Sequence, residues 1–225
     1  DITPPGRVAL AGHFELRLTD AVQTPLTASV LALESRDGNR SLDAAVMISC
    51  DLISAPPDLA ESIRQQIRQR LPELDVAKVV VNGTHTHTAP VPSESKNTYT
   101  IPAEGVVQPS EYQAFVAGRV AEAVEKAWNA RVPGSFTWGV GHAVVAYNRR
   151  AVYADGSAVM YGKTNKPDFR AIEGYEDHDV GTLFFWDRAG KLLAAAVNVS
   201  CPAQEAERGK PAVNADYWHP VRQRL

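Results

Sequence analysis

Hydrophobic positions recur along this chain with two different periods. Residues 26–33 and 44–49 are apolar, strand-length runs, and the Asp37-Gly38 signal between them predicts a hairpin. From Pro57 the spacing changes. Leu59, Ile63, Ile67 and Leu71 return every fourth residue, Pro56-Pro57-Asp58 supplies a helix start, and Pro72 supplies the stop. Residues 76–81 are rich in valine and predict a buried strand that runs straight into Asn82-Gly83-Thr84-His85-Thr86-His87-Thr88-Ala89-Pro90. A second helix opens at Ser110, buries Tyr112, Phe115, Val116, Val120, Val124 and Trp128, and ends at Pro133-Gly134. Strands follow at 136–147, 151–153 and 158–161, then a hairpin of 180–186 and 192–200 around Asp187-Arg188-Ala189-Gly190. Residues 90–108 are rich in Pro, Ser, Thr and Asn without periodicity, a loop of the length usually tied to function or mobility. There is no internal repeat and no linker composition. The expected fold is α/β: a large mixed β-sheet core flanked by helices, in a single layered domain.

Composition narrows the function classes. With 225 residues, 44% hydrophobic and a net charge of −3, a disordered or low-complexity chain is excluded. No apolar run approaches the roughly 20 residues of a membrane span. The balance of 23 basic against 26 acidic residues favours neither nucleic acid nor an anionic membrane as partner. Two cysteines cannot build a disulfide framework. Cys50 shares its strand face with Val46 and Ile48, so it is expected in an apolar layer and not bonded to Cys201. The sequence begins without methionine or a signal peptide and stops in what reads as a starting helix, so a portion of a longer protein is expected.

The richest chemistry lies in Gly83-Thr84-His85-Thr86-His87. If the strand continues, His85 and His87 point to one face and form half of a zinc site, with the flanking threonines fixing ring orientation. The plain alternative is a pair of solvated loop histidines. Asp51 closes the preceding strand and either orients a histidine or caps the turn at Ser54. Asn148-Arg149-Arg150 stands at a strand end, where an arginine can present a donor fork to a carbonyl or phosphate; Arg150 reads as a surface charge. Cys201 in Cys201-Pro202-Ala203-Gln204 is a metal thiolate, a nucleophile, or a buried small residue. His13, His142, His178 and His219 read as structural.

In their order along the chain, several segments resemble the neutral/alkaline non-lysosomal ceramidase family. They are Asp1-Ile2-Thr3-Pro4-Pro5, Pro25-Leu26-Thr27-Ala28, Ser49-Cys50-Asp51, Gly83-Thr84-His85-Thr86-His87-Thr88-Ala89-Pro90, Asn148-Arg149 and Val213-Asn214-Ala215-Asp216. The resemblance covers essentially the whole chain but only about the N-terminal half of that family's catalytic domain. It implies zinc as cofactor, with His85 as a ligand, His87 at the active site beside the metal, and Asn148 and Arg149 facing the substrate. The family's next zinc histidine, in a His-Pro pair, falls on Cys201-Pro202, so Cys201 becomes the implied second ligand; the family's remaining ligands, a glutamate and a tyrosine, would lie beyond Leu225. It also implies a lipid amide or other small amide as substrate, a place in sphingolipid metabolism, and secretion or a periplasmic location. Three functions follow: a zinc-dependent hydrolase of an amide or ester bond, a metal-free hydrolase with Cys201 as nucleophile and His85 or His87 as base, or a degenerate domain that binds ligands without catalysis.

Overall fold

The structure, a computed structural model, describes residues 1–94, 99–206 and 209–225. The loop read at 90–108 therefore falls partly, at 95–98, outside the described residues. The chain divides into two compact units, Asp1–Val132 with Pro202–Leu225, and Pro133–Cys201.

The first unit holds β1 (Val8–Ala9), β2 (Leu18–Thr19), β3 (Ala28–Asp37), β4 (Arg40–Cys50), α1 (Pro57–Arg70), β5 (Val79–Gly83), α2 (Pro109–Asn129) and the short α3 (Trp218–Arg224). The expected hairpin is present: β3 pairs antiparallel with β4 from Ala28↔Cys50 to Asp37↔Arg40. The strand after the first helix adds to the other side of β4 in parallel, giving the order β3-β4-β5. A hairpin can be closed locally, whereas the parallel pair needs a crossover, and α1 supplies it. Its Leu59, Ile63 and Ile67 are fully buried, each contributing about 1.5–3 kcal/mol by leaving water. Asp58 in its first turn and Arg68 and Arg70 in its last suit the helix dipole.

Helix α2 buries Tyr112, Val116, Val120, Val124 and Trp128, as its periodicity predicts, together with Ala117 and Ala121. Phe115 is only partly buried against this core. The helix begins one residue before Ser110, because Gln108 and Glu111 form a reciprocal capping box. The buried Tyr112 hydroxyl donates to the Ile2 carbonyl at 2.7 Å, tying the first residues of the chain to α2. The strand expected at 76–81 starts only at Val79. The Asp75 carboxylate accepts from the Ala77 N–H, which turns Val76–Lys78 into a single helical turn instead.

The second unit is built from β6 (Gly134–His142), β7 (Arg150–Tyr153), β8 (Ala158–Met160), β9 (Phe169–Ile172), β10 (Asp179–Asp187) and β11 (Leu192–Val199). These form two antiparallel sheets, β11-β10-β6 and β8-β7-β9. The strand expected at 136–147 stops at His142, where its pairing with Asp179 on β10 ends. Beyond it Val145 N–H turns back to the Ala143 carbonyl. The short β9 carries no run of strand formers and was not foreseen in the sequence. The α/β layer of a mixed sheet with helices is thus present in the first unit. Among the described residues that sheet has three strands, and the strands of the second unit form sheets of their own. No helix among the described residues is long and apolar enough to cross a membrane.

Candidate functional site

Strands β4 and β5 end at the same level, with Cys50 opposite Gly83. The carboxyl ends of parallel strands are where an open α/β sheet collects its site. Here the two following loops, 51–54 and 84–90, are joined by backbone bonds. Thr84 N–H donates to the Cys50 carbonyl at 2.9 Å, and His85 N–H to the Leu52 carbonyl at 3.0 Å.

The histidines do meet, though by a different route from a continued strand. β5 ends at Gly83, and His85 takes a left-handed backbone with φ +63°. The threonines carry the alternation instead. Thr86 and Thr88 are buried and both donate to the Asn214 carbonyl, at 3.0 and 2.8 Å, while Asn214 N–H donates to the Thr88 carbonyl. Thr84 donates to Asp51 at 3.3 Å. With the threonines pinned inward, the two histidines are left facing outward.

The imidazoles converge through their Nε2 atoms, which lie 3.4 Å apart with ring centroids at 5.0 Å. His85 Nδ1 is 2.8 Å from the Ile53 carbonyl. A carbonyl only accepts, so Nδ1 carries the proton and Nε2 presents its lone pair. This backbone-anchored arrangement is the one that orients metal-binding histidines. Gln204, brought in by the bond from Ala203 N–H to the Thr84 carbonyl, places the end of its side-chain amide 2.5 Å from His87 Nε2. His13, read from the sequence as structural, stands edge-on to His87 with centroids 6.1 Å apart. Arg17 donates to the carbonyls of Ala11 and His87, strapping the His13 turn to the histidine loop. Gly12 makes this approach possible: its φ is +96°, and a Cβ there would lie 2.4 Å from His87 Cγ.

Asp51 neither bonds a histidine ring nor caps the Ser54 turn. It is fully buried and accepts from Thr27 N–H and Oγ1, both at 2.9 Å, from Thr84, and from both Nη atoms of Arg222 at 2.8 Å. One carboxylate thus ties the start of β3, the histidine loop and α3 together. The neighbouring Cys50 lies in the apolar core, and burial, with the Asp51 charge adding to it, pushes its thiol up to about 12.

In the second unit, Arg149 is exposed, donates to the Tyr161 hydroxyl at 2.6 Å and lies over its ring. Asn148 donates through its side chain to the carbonyls of Glu173 and Tyr175, shaping the turn that presents Arg149. Arg150 is the expected surface charge, paired with Glu173. Cys201 is half-buried, with its sulfur 3.7 Å from the Val145 carbonyl, and neither cysteine is in a disulfide. Among the described residues, no three of His, Cys, Asp and Glu gather as a metal seat. The His85–His87 pair by its chemistry fits two positions around a cation, short of the three or four protein donors that zinc sites use.

Sequence reasoning gave no role to Gln204, Asn214, Arg17 or Arg222, although Gln204 and Asn214 stand in segments it singled out; each acts across a long sequence separation.

No family model and no curated protein matches the sequence. Solved structures do. A neutral ceramidase from Pseudomonas aeruginosa superposes with a TM-score of 0.68 at 18% identity, covering 96% of this chain and 33% of that one. A ceramidase complexed with C2 gives a TM-score of 0.68 at 20% identity, covering 96% of this chain and 32% of that one. The chain therefore has the ceramidase-like α/β fold and spans about a third of the length of these proteins.

Proposed function

We propose that this chain carries part of the active site of a ceramidase-like, zinc-dependent hydrolase acting on an amide bond, with a lipid amide as the substrate class. The observation that carries this reading is the His85–His87 pair: two Nε2 atoms at 3.4 Å, one of them aimed by a backbone carbonyl, at the ends of two parallel strands of a ceramidase-like fold. His85 holds the metal through Nε2. The second donor is Cys201, which the resemblance puts, with Pro202, in the place of the family's His-Pro pair. Bound zinc supplies Lewis-acid polarisation of the acyl carbonyl. His87 takes up or delivers a proton at Nε2, a contribution of about 10²–10⁴ in rate for a well-placed acid–base group. In the second unit, Arg149 has the substrate-facing role that the resemblance implies, its guanidinium donating to acyl or headgroup oxygens, with Asn148 beside it.

The test is zinc content and hydrolysis of an N-acyl amide by the longest available form of the chain, for the native sequence, His85→Ala and Arg149→Ala. His85→Ala is expected to lose both metal and activity while keeping its circular dichroism spectrum. Arg149→Ala is expected to keep the metal and lose substrate turnover. Full metal and full activity in His85→Ala would remove the histidine pair from the site.

A further inference from the structure

Arg149 stands opposite Tyr161, one position beyond the last pair of β7 and β8, Arg150↔Met160. Tyr161 N–H donates to the Arg149 carbonyl at 2.8 Å, and the Tyr161 hydroxyl accepts from Arg149 Nη1 at 2.6 Å. One residue thus holds Arg149 at both its backbone and its guanidinium. The backbone of Tyr161 is left-handed, with φ +55°, a conformation that a bulky L-residue adopts only at a cost. The surroundings enforce it. Gly162 N–H donates to the Val159 carbonyl at 3.1 Å, and the Tyr153 hydroxyl donates to the Lys163 carbonyl at 3.0 Å. Gly162 lies so close to β7 that a Cβ there would stand 2.4 Å from the Tyr153 hydroxyl oxygen and 2.8 Å from Ala151 Cβ. Packing does not account for the tyrosine itself, because Tyr161 is 71% exposed. A glycine would take this backbone without strain. What the tyrosine adds is its hydroxyl and its ring beside the guanidinium, whose Cζ lies 5.1 Å from the ring centroid. Strain kept in place by its surroundings, with no gain in burial, points to a functional position.

We propose that Tyr161 is a positioning residue for the substrate, acting through Arg149, whose guanidinium it holds in the orientation that receives substrate oxygens. The inference rests on the reading of Arg149 as the substrate-facing arginine. A mobile arginine must be ordered when it binds, and that ordering is subtracted from affinity. Here the tyrosine hydroxyl has already fixed Nη1. Among the described residues no other group bonds the guanidinium, so the edge formed by Nε and Nη2 is left to donate to a ligand. The preceding residue is fixed as well. Asn148 N–H donates to the Glu176 carboxylate at 2.8 Å, and the Asn148 amide donates to the Glu173 and Tyr175 carbonyls. Arg149 is therefore held from both directions along the backbone and at one nitrogen of its head, while the side chain remains exposed.

The test is hydrolysis of dodecanoyl p-nitroanilide, a chromogenic N-acyl amide, by the zinc-loaded, longest available form of the chain. It compares the native protein with Tyr161→Phe, Tyr161→Gly, Arg149→Ala and the Tyr161→Phe/Arg149→Ala double variant, and adds ¹⁵N relaxation of the Arg149 Nε–H. Tyr161→Phe keeps the ring and loses the hydroxyl. It is expected to raise KM about 2–10-fold, the worth of one pre-ordered side chain, with kcat unchanged. A loss of folded protein would instead lower kcat and leave KM in place. In the Arg149→Ala background the same change should lower kcat/KM no further, because a residue that acts through Arg149 has nothing left to act on. The Nε–H should turn from rigid to mobile in Tyr161→Phe. Tyr161→Gly, which relieves the left-handed strain, should share the rise in KM while keeping the native thermal midpoint. A native KM in Tyr161→Phe beside an impaired Arg149→Ala, a further loss in the double variant, or an Nε–H as rigid in Tyr161→Phe as in the native protein would overturn the positioning role. A lowered thermal midpoint in Tyr161→Gly would assign the tyrosine to stability instead. Native kinetics in Arg149→Ala, or no hydrolysis by the native protein, would overturn the reading beneath it, and the Nε–H relaxation still decides whether Tyr161 restrains the guanidinium.

Discussion

Replacing Gly12 by alanine asks whether the close approach of the His13 turn to His87 is structural necessity or coincidence. Two costs are separable. Gly12 has φ +96°, and an L-residue at positive φ costs about 1–2 kcal/mol. The added Cβ would also stand 2.4 Å from His87 Cγ and 2.8 Å from His87 Cβ. Contact with the root of that side chain means that rotating the ring gives no relief, so the backbone of one loop must move. Overpacking of this kind costs about 1–3 kcal/mol. Gly38 provides the control within the same unit: its φ is also positive, at +57°, but nothing lies within 4 Å of the place an added methyl group would take. Urea denaturation should therefore show Gly12→Ala less stable than Gly38→Ala by at least about 1–3 kcal/mol, the steric part, with a further backbone cost because φ +96° lies outside the left-handed region that Gly38 at +57° occupies. The imidazole resonances of His87 should shift in Gly12→Ala and stay in place in Gly38→Ala. Equal destabilisation by the two substitutions, with His87 unmoved, would refute the claim that Gly12 sets the position of this ring.

Two further outcomes are expected. Arg222→Met leaves the fully buried Asp51 carboxylate without its bidentate partner; breaking such a pair costs about 3–5 kcal/mol, and the part-exposure of Arg222 places the loss toward the low end. Thermal denaturation of Arg222→Met and of the Asp51→Asn/Arg222→Met double variant checks this, because the double variant should recover part of the loss and a further drop would contradict the buried-charge argument. Cys50 should give an alkaline loss of stability: an ordinary thiol ionises near 9, the folded one at about 12, so between these values the folded chain holds a proton that the unfolded chain has lost. Stability then falls as pH rises through that window, and Cys50→Ala should flatten the fall in urea midpoints measured from pH 8.5 to 11.

What was legible in the sequence was local. The fourfold spacing of Leu59, Ile63 and Ile67 marks α1 because a helix repeats every 3.6 residues, and Pro57 and Pro72 bound it on conformational grounds. Asp37-Gly38 marks the β3–β4 hairpin because the turn demands positive φ. The strand expected at 136–147 overran because its composition continues past the point where β10 ceases to pair with it, and a partner's length is not written in the strand itself. At the site, the alternation in Thr84-His85-Thr86-His87-Thr88 does separate inward from outward residues, but its cause is hydroxyl bonding to Asn214 and Asp51 and not a β-ladder. Asp51 looked like a local cap because its partner Arg222 is remote in sequence. Gln204 and Arg17 escaped for the same reason: a glutamine or arginine in a polar stretch gives no signal until the fold delivers its neighbour.

The bonds from Asn214 and Arg222 to the histidine loop and to Asp51 have a kinetic consequence. Residues 202–225 return to the first unit only after the whole of Pro133–Cys201 has intervened. Thr86 and Thr88 thus wait for a partner more than a hundred positions downstream. Contacts of such separation carry a large loop-closure cost and form slowly. During synthesis, the β3-β4-α1-β5 segment can assemble early from near neighbours, while the two imidazoles remain unaligned until the later segment docks. The paired imidazoles are consequently a late product of folding, assembled after the hydrophobic layers that support them.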